Sequence, residues 1–295
     1  MIEPKLETFL TICKTKNFTK AAELLNLTQP AVTKHINSLE DYYGVPLFVR
    51  RGRIIELTTE GKILFEYAKD MKSQTLVMER KIRNSYKLEK HYTIGATLTI
   101  GEYILPYILG KYKKSNPNID ITMQVHNTDT ITKKLLNGEI DLGLVEGPFD
   151  KNKFYSKTLK EDELVFAVSP QNQLAKKSGI EMDEVLSSKL ILREEGSGTR
   201  KVLEDKLANL GFHSSCLKPY MEIGSIGAIK SLVKLNLGTT VISKTAIQDE
   251  VNSKLLTIIP IKGVQIVRKL SFIYLKDSPK EFVDSFIEFS IKSFK

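Results

Sequence analysis

Side chains with the chemistry of DNA recognition follow one another closely near the N-terminus. Thr28, Gln29, Pro30, Thr33 and Lys34 lie at the start of a short predicted helix, and we take them as a candidate DNA-contacting set. Glutamine can pair with adenine, threonine can meet a thymine methyl group or a phosphate, and lysine can meet guanine or a phosphate. The proline ring can also touch a thymine methyl group. The alternative is that these are ordinary solvated surface residues.

A group of arginines follows this helix. Arg50, Arg51 and Arg53 lie around a predicted hairpin, where they suit phosphate or minor-groove contacts. Clustered basic residues are also often merely solvated. Residues 1–90 contain 16 Lys and Arg against 11 Asp and Glu, so less than a third of the chain holds over half of the net charge of +9. This excess favours a polyanionic partner for the N-terminal part.

Hydroxyl and amide side chains follow several predicted strands in the rest of the chain, each time just before a helix. In α/β folds such turns lie at the edge of a cleft, and helix N-termini there suit anions. An arginine can add a fixed cation for a sulfur oxyanion, phosphate or carboxylate. Ser, Thr and Asn are also the usual helix caps, so a purely structural role stays open. The candidate ligand-binding residues are Thr97, Thr99, Asn127, Thr128, Glu146, Ser197, Thr199, Arg200 and Ser225.

Catalytic and metal-binding patterns are missing from the sequence. The four histidines are scattered, and Cys13 and Cys216 lie far apart, so no ligand set has metal spacing. We therefore predict no catalytic residue, no metal and no cofactor. No stretch approaches the ~18 apolar residues of a membrane helix, and the first residues lack the pattern of a signal peptide. We expect a cytoplasmic protein without a membrane partner.

Three short helices and two strands are predicted for the first 57 residues, from apolar residues at helical spacing and from turn signals. Thr19 is expected to cap the second helix and Thr28 the third, which Gly44 ends. The predicted strands are Leu47–Arg50 and Ile54–Leu57.

A single long helix is predicted to begin after Thr58 or Thr59 and to run to about residue 85. Its apolar positions keep three–four spacing from residue 64 onward, without Pro or Gly. Such a helix is ~45 Å long and has no core of its own. The same helix of a second chain is the simplest partner for the apolar stripe. Packing against the C-terminal half of its own chain is the alternative.

Strands and helices alternate beyond residue 91, which predicts an α/β fold with mostly parallel sheets covered on both faces. Helices are expected at Ile100–Ser115 and Ile131–Asn137, among others. The predicted strands are Tyr92–Ala96, Ile119–His126, Leu142–Val145, Leu164–Val168, Lys189–Arg193, Tyr220–Ile223, Thr239–Ser243 and Leu270–Leu275.

The N-terminal residues resemble the helix-turn-helix of LysR-type transcriptional regulators. The similar segments are Phe18–Thr33, Ile36–Glu40, Gly44–Arg51 and Leu57–Gly61, and the resemblance extends over the whole chain. It implies a winged helix-turn-helix whose third helix enters the major groove. It also implies a long linker helix, a sensor of two α/β lobes like a periplasmic binding protein, and homodimers or homotetramers.

Within that family, three further segments are similar to regulators of assimilatory sulfite reductase and of carbon-fixation operons. They are Thr99–Pro106, Gly138–Pro148 and Arg193–Arg200. The resemblance favours ligand contact at Thr97, Thr99 and Ser197 in particular, because family members use matching positions. This chain departs at Ile100, where many relatives have a polar residue.

The expected protein is a regulator that binds double-stranded promoter DNA and senses a small, anionic metabolite, either a sulfur oxyanion or a phosphorylated or carboxylated compound. Residues 1–58 form the predicted DNA-binding domain, 59–90 the linker helix and 91–295 the effector-binding domain. One lobe is expected from about 91–163 and 268–295, the other from about 164–267. A solute-binding protein of a transport system is the alternative, but it needs export and leaves residues 1–90 without a role. An enzyme on the same fold would need the catalytic groups that are missing.

Overall fold

The computed structural model describes residues 3–51, 54–86 and 90–293. The chain divides into two compact units, Met1–Tyr86 with Asn137–Glu139, and Lys87–Leu136 with Ile140–Lys295. The finer boundaries that the sequence suggests, near residues 58, 90 and 163, stay predictions. Within the described ranges, no helix combines the length and the apolar character needed to span a bilayer.

Three helices, a hairpin and a long helix make up the first unit. Apolar side chains from the three short helices form its core, in which Phe9, Ile12, Val32 and Ile36 are buried. Ala21 is fully buried as well, and its small side chain lets the second helix approach the others closely. The elements are α1 (Pro4–Thr15), α2 (Phe18–Leu25), α3 (Gln29–Tyr43), β1 (Phe48–Arg51), β2 (Ile54–Leu57) and α4 (Thr59–Tyr86).

Local hydrogen bonds fix where these helices begin and end. The prediction that Thr19 caps α2 is wrong: Asn17 has an extended backbone and its side chain accepts from the N–H of Lys20, so the helix already starts at Phe18. Thr28 caps α3 as predicted, and Gly44 ends it with a left-handed φ of 69°. Thr58 caps α4, because its hydroxyl accepts from the N–H of Gly61 at 2.9 Å.

The long helix α4 has two different apolar faces. Contrary to the expectation that it lacks a core of its own, its first turns pack against the helix-turn-helix core through Leu64, Phe65 and Ala68. A second apolar face stays open to solvent, with between 46% and 68% of each residue exposed. Its members are Ile63, Tyr67, Met71, Met78 and Ile82.

The second unit is an α/β structure built on a large mixed sheet. Its strands are β3 (Lys90–Ala96), β4 (Ile119–Val125), β5 (Leu142–Val145), β6 (Tyr155–Val168), β7 (Ile191–Leu192), β8 (Met221–Glu222), β9 (Thr240–Ser243), β10 (Thr257–Ile259) and β11 (Ile266–Tyr274). Its helices are α5 (Leu98–Tyr103), α6 (Leu105–Ser115), α7 (Thr128–Leu136), α8 (Met182–Ser187), α9 (Gly198–Asn209), α10 (Ile226–Lys234), α11 (Gln248–Asn252) and α12 (Lys280–Lys292). Short 3₁₀ turns lie at Gln173–Lys176, Ser214–Cys216 and Thr245–Ile247.

The sheet order is β10-β6-β11-β5-β3-β4, with β9 also paired to β6. Only β3 pairs in parallel within this sheet, with β4 and β5, whereas every pair formed by β6 or β11 is antiparallel. The expectation of mostly parallel sheets is therefore wrong for this part of the unit. The pattern missed it because the first half of β6 is polar and exposed, so the strand begins at Tyr155 and not at Leu164.

Strands β6 and β11 join the two lobes of this unit. One hydrophobic core, which contains Leu105 and Phe286, takes Leu270 and Phe272 from β11. Another core takes Ile266 from the same strand and Phe166 from β6. The two strands therefore pass through both lobes, and a group that they bury between the two cores lies where the lobes meet.

We expect the exposed face of α4 to pair with a second chain. Replacing Met71 and Met78 by glutamate should shift the protein toward monomers, because the seam between two such helices would then contain unpaired charges. Sedimentation equilibrium measures the shift. Lys69→Glu is the control, since Lys69 is exposed and lies on another side of α4. Equal association of all three proteins would contradict a seam on this face.

Candidate functional site

The predicted DNA-contacting residues lie together at the start of α3. Thr28, Gln29, Pro30 and Lys34 are exposed, and Thr33 is half-buried. The side-chain amide of Gln29 donates to the hydroxyl of Thr33 at 3.0 Å, so one residue orients the other. Four of the five line a shallow groove of about 530 Å³. Its remaining lining residues, which the sequence analysis did not include, are Asn37, Ser38 and Asp41.

The predicted arginine contacts lie beside this helix in sequence. Arg50 and Arg51 belong to β1, which pairs with β2 in an antiparallel hairpin, as expected for the wing. Arg53 lies outside the described residues. The DNA-contacting roles of all three arginines stay predictions.

A buried arginine that the sequence analysis missed organises the polar groups between the lobes. Arg268, in β11, exposes only 4% of its surface and forms an ion pair with Asp162, its register partner in β6. Its Nε lies 2.9 Å from Asp162 Oδ2. Its Nη1 donates to the hydroxyl of Thr199 at 2.8 Å and its Nη2 to that of Thr99 at 3.2 Å. Two of the predicted ligand-binding residues therefore meet at one guanidinium.

The chemistry of arginine decides which way these hydroxyls point. A guanidinium has five N–H donors and no acceptor, so the oxygens of Thr99 and Thr199 must accept from Arg268. Each hydroxyl proton is then directed elsewhere, and both threonines are available as donors. A neighbouring ligand that accepts hydrogen bonds suits this arrangement, whereas a cation does not.

A buried carboxylate completes the cluster. Glu146 follows β5, is 3% exposed, accepts a hydrogen bond from the hydroxyl of Thr97 and lies 3.7 Å from Arg268 Nη1. Asp162 is held by the hydroxyls of Ser243 and Thr245, each at 2.9 Å. Two carboxylates thus share one guanidinium, so the cluster carries no uncompensated positive charge.

The hydrogen bonds distinguish helix caps from other polar residues. Asn127 accepts from the N–H of Thr130 at 3.0 Å, and Ser225 accepts from that of Ala228 at 3.3 Å, so both cap helices. Thr97 and Ser197 occupy N-cap positions but form no side-chain capping bond, although both are buried. A purely capping role therefore accounts for Asn127 and Ser225 and not for Thr97 or Ser197.

The lobes touch where two glycines pack against each other. A Cβ atom on Gly198, at the start of α9, would lie 2.6 Å from the N atom of Gly147 and 2.6 Å from Thr128 Oγ1. Only glycine fits at such a separation. Thr128 is 3% exposed, and its hydroxyl has no hydrogen-bond partner within the described part of the chain.

A cleft of about 440 Å³ opens beside this contact, and we call it the ligand cleft. The N-termini of α7 and α9 both border it, through Thr128 and through Ser197–Gly198. Its lining residues are Thr128, Asp129, Pro148, Glu195, Gly196, Ser197, Gly198, Arg200, Lys201 and Glu204. Gly196 lines the cleft with a φ of 80°, a left-handed conformation that suits glycine.

Arg200 borders the ligand cleft but is already paired. Its Nε donates to Glu204 at 2.9 Å, and its Nη1 donates to Glu222 and, at 3.4 Å, to the carbonyl of Arg193. Burial opposes its charge, but the hydrogen bonds and charges of Glu222 and Glu204 outweigh that effect and raise the pKa of Arg200. Its role as a cation for a bound anion stays a prediction.

In residues 3–51, 54–86 and 90–293, no group of three or more His, Cys, Asp or Glu side chains is placed to hold a metal ion.

The fold and the site define the class of protein: one chain combines a winged helix-turn-helix with a two-lobed α/β domain. Residues 4–62 match the family profile described as "Bacterial regulatory helix-turn-helix protein, lysR family", and residues 87–295 match "LysR substrate binding domain". The chain belongs to the LysR family of DNA-binding transcriptional regulators, which confirms the resemblance seen in the sequence. The alternative of a transport solute-binding protein does not account for the first match.

Two relatives by sequence and one solved structure are similar to the chain. The chain is 31% identical to the HTH-type transcriptional regulator CysL of Bacillus subtilis, over 91% of this chain and 89% of that one. It is 34% identical to a probable RuBisCO transcriptional regulator of Synechocystis, over 91% and 79%. The regulatory domain of Synechocystis CcmR in complex with 2-PG has a TM-score of 0.60 at 24% identity, over 68% and 97%. The two sequence relatives are named as regulators, not as enzymes, and they match the branch predicted from the sequence.

We expect the stability of the second unit to depend on Arg268. Its replacement by methionine leaves Asp162 and Glu146 buried without a cation, which should cost about 3–5 kcal/mol of unfolding free energy. Urea denaturation of the full chain measures the loss. The double variant Arg268→Met with Asp162→Asn should recover part of it. If Arg268→Met alone were as stable as the parent, the ion pair would not have the importance assigned to it.

Proposed function

We propose that this regulator senses a small anionic metabolite held between its lobes, and that binding changes how it engages or bends promoter DNA. The observation that carries the proposal is the direction of the hydrogen bonds at the buried Thr99 and Thr199: their oxygens accept from Arg268, so each hydroxyl still has a proton to donate to a further acceptor. The unpartnered hydroxyl of Thr128 and the uncapped Ser197 add donors nearby. Together they favour an oxyanion.

The electrostatics support recognition by dipoles and not by a free cation. The charge of Arg268 is compensated by Asp162 and Glu146, and Arg200 is paired with Glu204 and Glu222. Hydroxyls and the N–H groups at the N-terminus of α9 are the donors that remain, and helix N-termini stabilise anions. A sulfur oxyanion, a phosphorylated compound or a carboxylated compound each presents the acceptors that this arrangement requires.

The proposed response is a shift between two assemblies. A ligand changes an equilibrium only through its different affinity for the two states. An anion that contacts donors from both lobes favours the arrangement in which those donors converge. In a homodimer or homotetramer, this closure would alter the spacing or angle of the DNA-binding domains. The proposal places the protein in the cytoplasm, where promoter DNA and the metabolite are both present.

Footprinting tests both the binding of DNA and the response of that binding to a ligand. The full-length protein is bound to duplex DNA from its own upstream intergenic region, with and without sulfite. Protection that shortens or shifts with sulfite is the expected result. Protection indifferent to sulfite would discard that ligand, and absence of protection at low salt, with folded protein, would contradict the role in DNA binding.

The threonine pair provides a sharper test of the ligand site. Thr99→Val with Thr199→Val should weaken binding of the anion that is effective in the footprint by about 10- to 100-fold, since each lost hydrogen bond contributes about 0.5–1.5 kcal/mol, while DNA binding without ligand is kept. Calorimetric titration measures the affinity, and Ser225→Ala is the control because the Ser225 hydroxyl is engaged in capping a helix and does not contact Arg268. Unchanged affinity in the double variant would place the ligand elsewhere.

We propose that residues at the start of α3 contact the DNA bases. Gln29→Ala should weaken binding to the protected site by about 1–3 kcal/mol and leave binding to unrelated duplex DNA nearly unchanged, because it removes a base contact and not a phosphate contact. Titrations at fixed salt compare the two DNAs. Glu23→Gln, on the exposed side of α2, is the control. A uniform loss on both DNAs would remove Gln29 from the base-reading set.

A further inference from the structure

We propose that the second unit has another anion site, separate from the ligand cleft, which takes a compound with two or more phosphoryl charges. It is a groove of about 590 Å³ beside the strands that join the lobes, and we call it the strand groove. Loop residues 146–149 form one wall and the side of α9 another, with the start of β6 and residues 266–271 of β11 between them. Its volume lies in the range of small-molecule sites.

Three lysines from three different parts of the fold line the strand groove. Lys151 comes from the loop after β5, Lys206 from α9 and Lys269 from β11. None of the three has an ion pair or a side-chain hydrogen bond to any described residue. Three unpaired ammonium groups around one groove create a local positive potential that favours multiply charged anions.

The acidic residues of the groove are already engaged. Glu146 accepts from Thr97 and lies near Arg268, and Asp205 forms an ion pair with Lys201 at 3.0 Å. They therefore do not neutralise the three lysines. None of the three lysines forms an ion pair with a described residue, including Glu161, which lies opposite Lys269 in the strand pairing.

Hydroxyl groups supply further donors at the floor of the groove. Ser271 is 7% exposed, lines the groove, and its side chain forms no hydrogen bond to the residues that the structure describes. Thr158, its register partner in β6, and Ser156 lie beside it. The pairing of β6 and β11 shifts between Leu270 and Ser271, and such irregularities re-aim side chains next to binding sites. Lysines and hydroxyls together suit phosphoryl oxygens.

The strand groove and the ligand cleft use different side chains. Lys269 and Ser271 alternate with Arg268 along β11 and occupy the other face of the strand, although Arg268 and Glu146 of the buried cluster also line the strand groove. The two cavities share Pro148 in their linings, but Ser197 and Thr128 line only the ligand cleft. A ligand in the groove contacts both lobes and the strands between them, so its occupancy can bias the angle between the lobes.

Pyrophosphate is the probe for this site. Isothermal titration of the full-length protein should give saturable binding at millimolar pyrophosphate. Lys206→Gln with Lys269→Gln should weaken it by about 10- to 30-fold, as expected for two charge pairs of up to about 1 kcal/mol each. Ser271→Ala, which leaves the charge unchanged, should weaken it by about fivefold, the effect of one lost hydrogen bond.

Matched variants separate this site from general charge effects and from the ligand cleft. Lys114→Gln with Lys218→Gln removes two exposed lysines elsewhere and should leave the affinity unchanged. Ser197→Ala, in the ligand cleft, should leave it unchanged as well. The proposal is overturned if the parent protein does not bind pyrophosphate, if the control pair weakens binding equally, or if only Ser197→Ala weakens it. Thermal unfolding verifies that every variant is folded.

Discussion

The buried ion pair between Arg268 and Asp162 is the constraint on which the sensor depends. Removing two charges from water costs several kcal/mol per ion, and their attraction offsets this only when further hydrogen bonds satisfy the remaining donors and acceptors. Here Thr99 and Thr199 satisfy the guanidinium, and hydroxyls from Ser243 and Thr245 satisfy the carboxylate. Because these residues come from both lobes, satisfying one pair of charges fixes the polar interior of the whole unit.

This constraint is consistent with the proposed sensing of an anion without a free cation at the centre of the site. An unpaired buried arginine would bind any anion and would destabilise the empty protein. With its charge compensated, Arg268 acts instead as a positioning group that sets the direction of two hydroxyl protons. In the proposed function, selectivity rests on geometry, that is, on which acceptors a ligand presents to Thr99, Thr199 and their neighbours, and the empty state stays stable.

The first unit follows simpler rules, and its sequence predicted it well. Apolar spacing located three helices, and the caps at Thr28 and Gly44 are confirmed because local hydrogen bonds decide helix ends. The error at Thr19 has a local cause too, since Asn17 is a competing cap two residues earlier. The exposed stripe of α4 was predicted from spacing, whereas the packing of its first turns on the helix-turn-helix core was not, because adjacent faces of one helix look alike in a pattern of apolar residues.

The sequence by itself determined the family, the two halves of the chain and the hydroxyl-rich turns before helices, because these are properties of short segments. It did not find Arg268 and Asp162, which lie 106 residues apart and acquire their roles only when β6 and β11 pair. A signal was present: each lies on the same inward face of its strand as buried apolar residues two positions away, Leu164 for Asp162, and Ile266 and Leu270 for Arg268. Alternation shows that a side chain points inward. Only the tertiary structure decides which buried charge lies next to that side chain, because the pairing of two distant strands is not encoded in either segment alone.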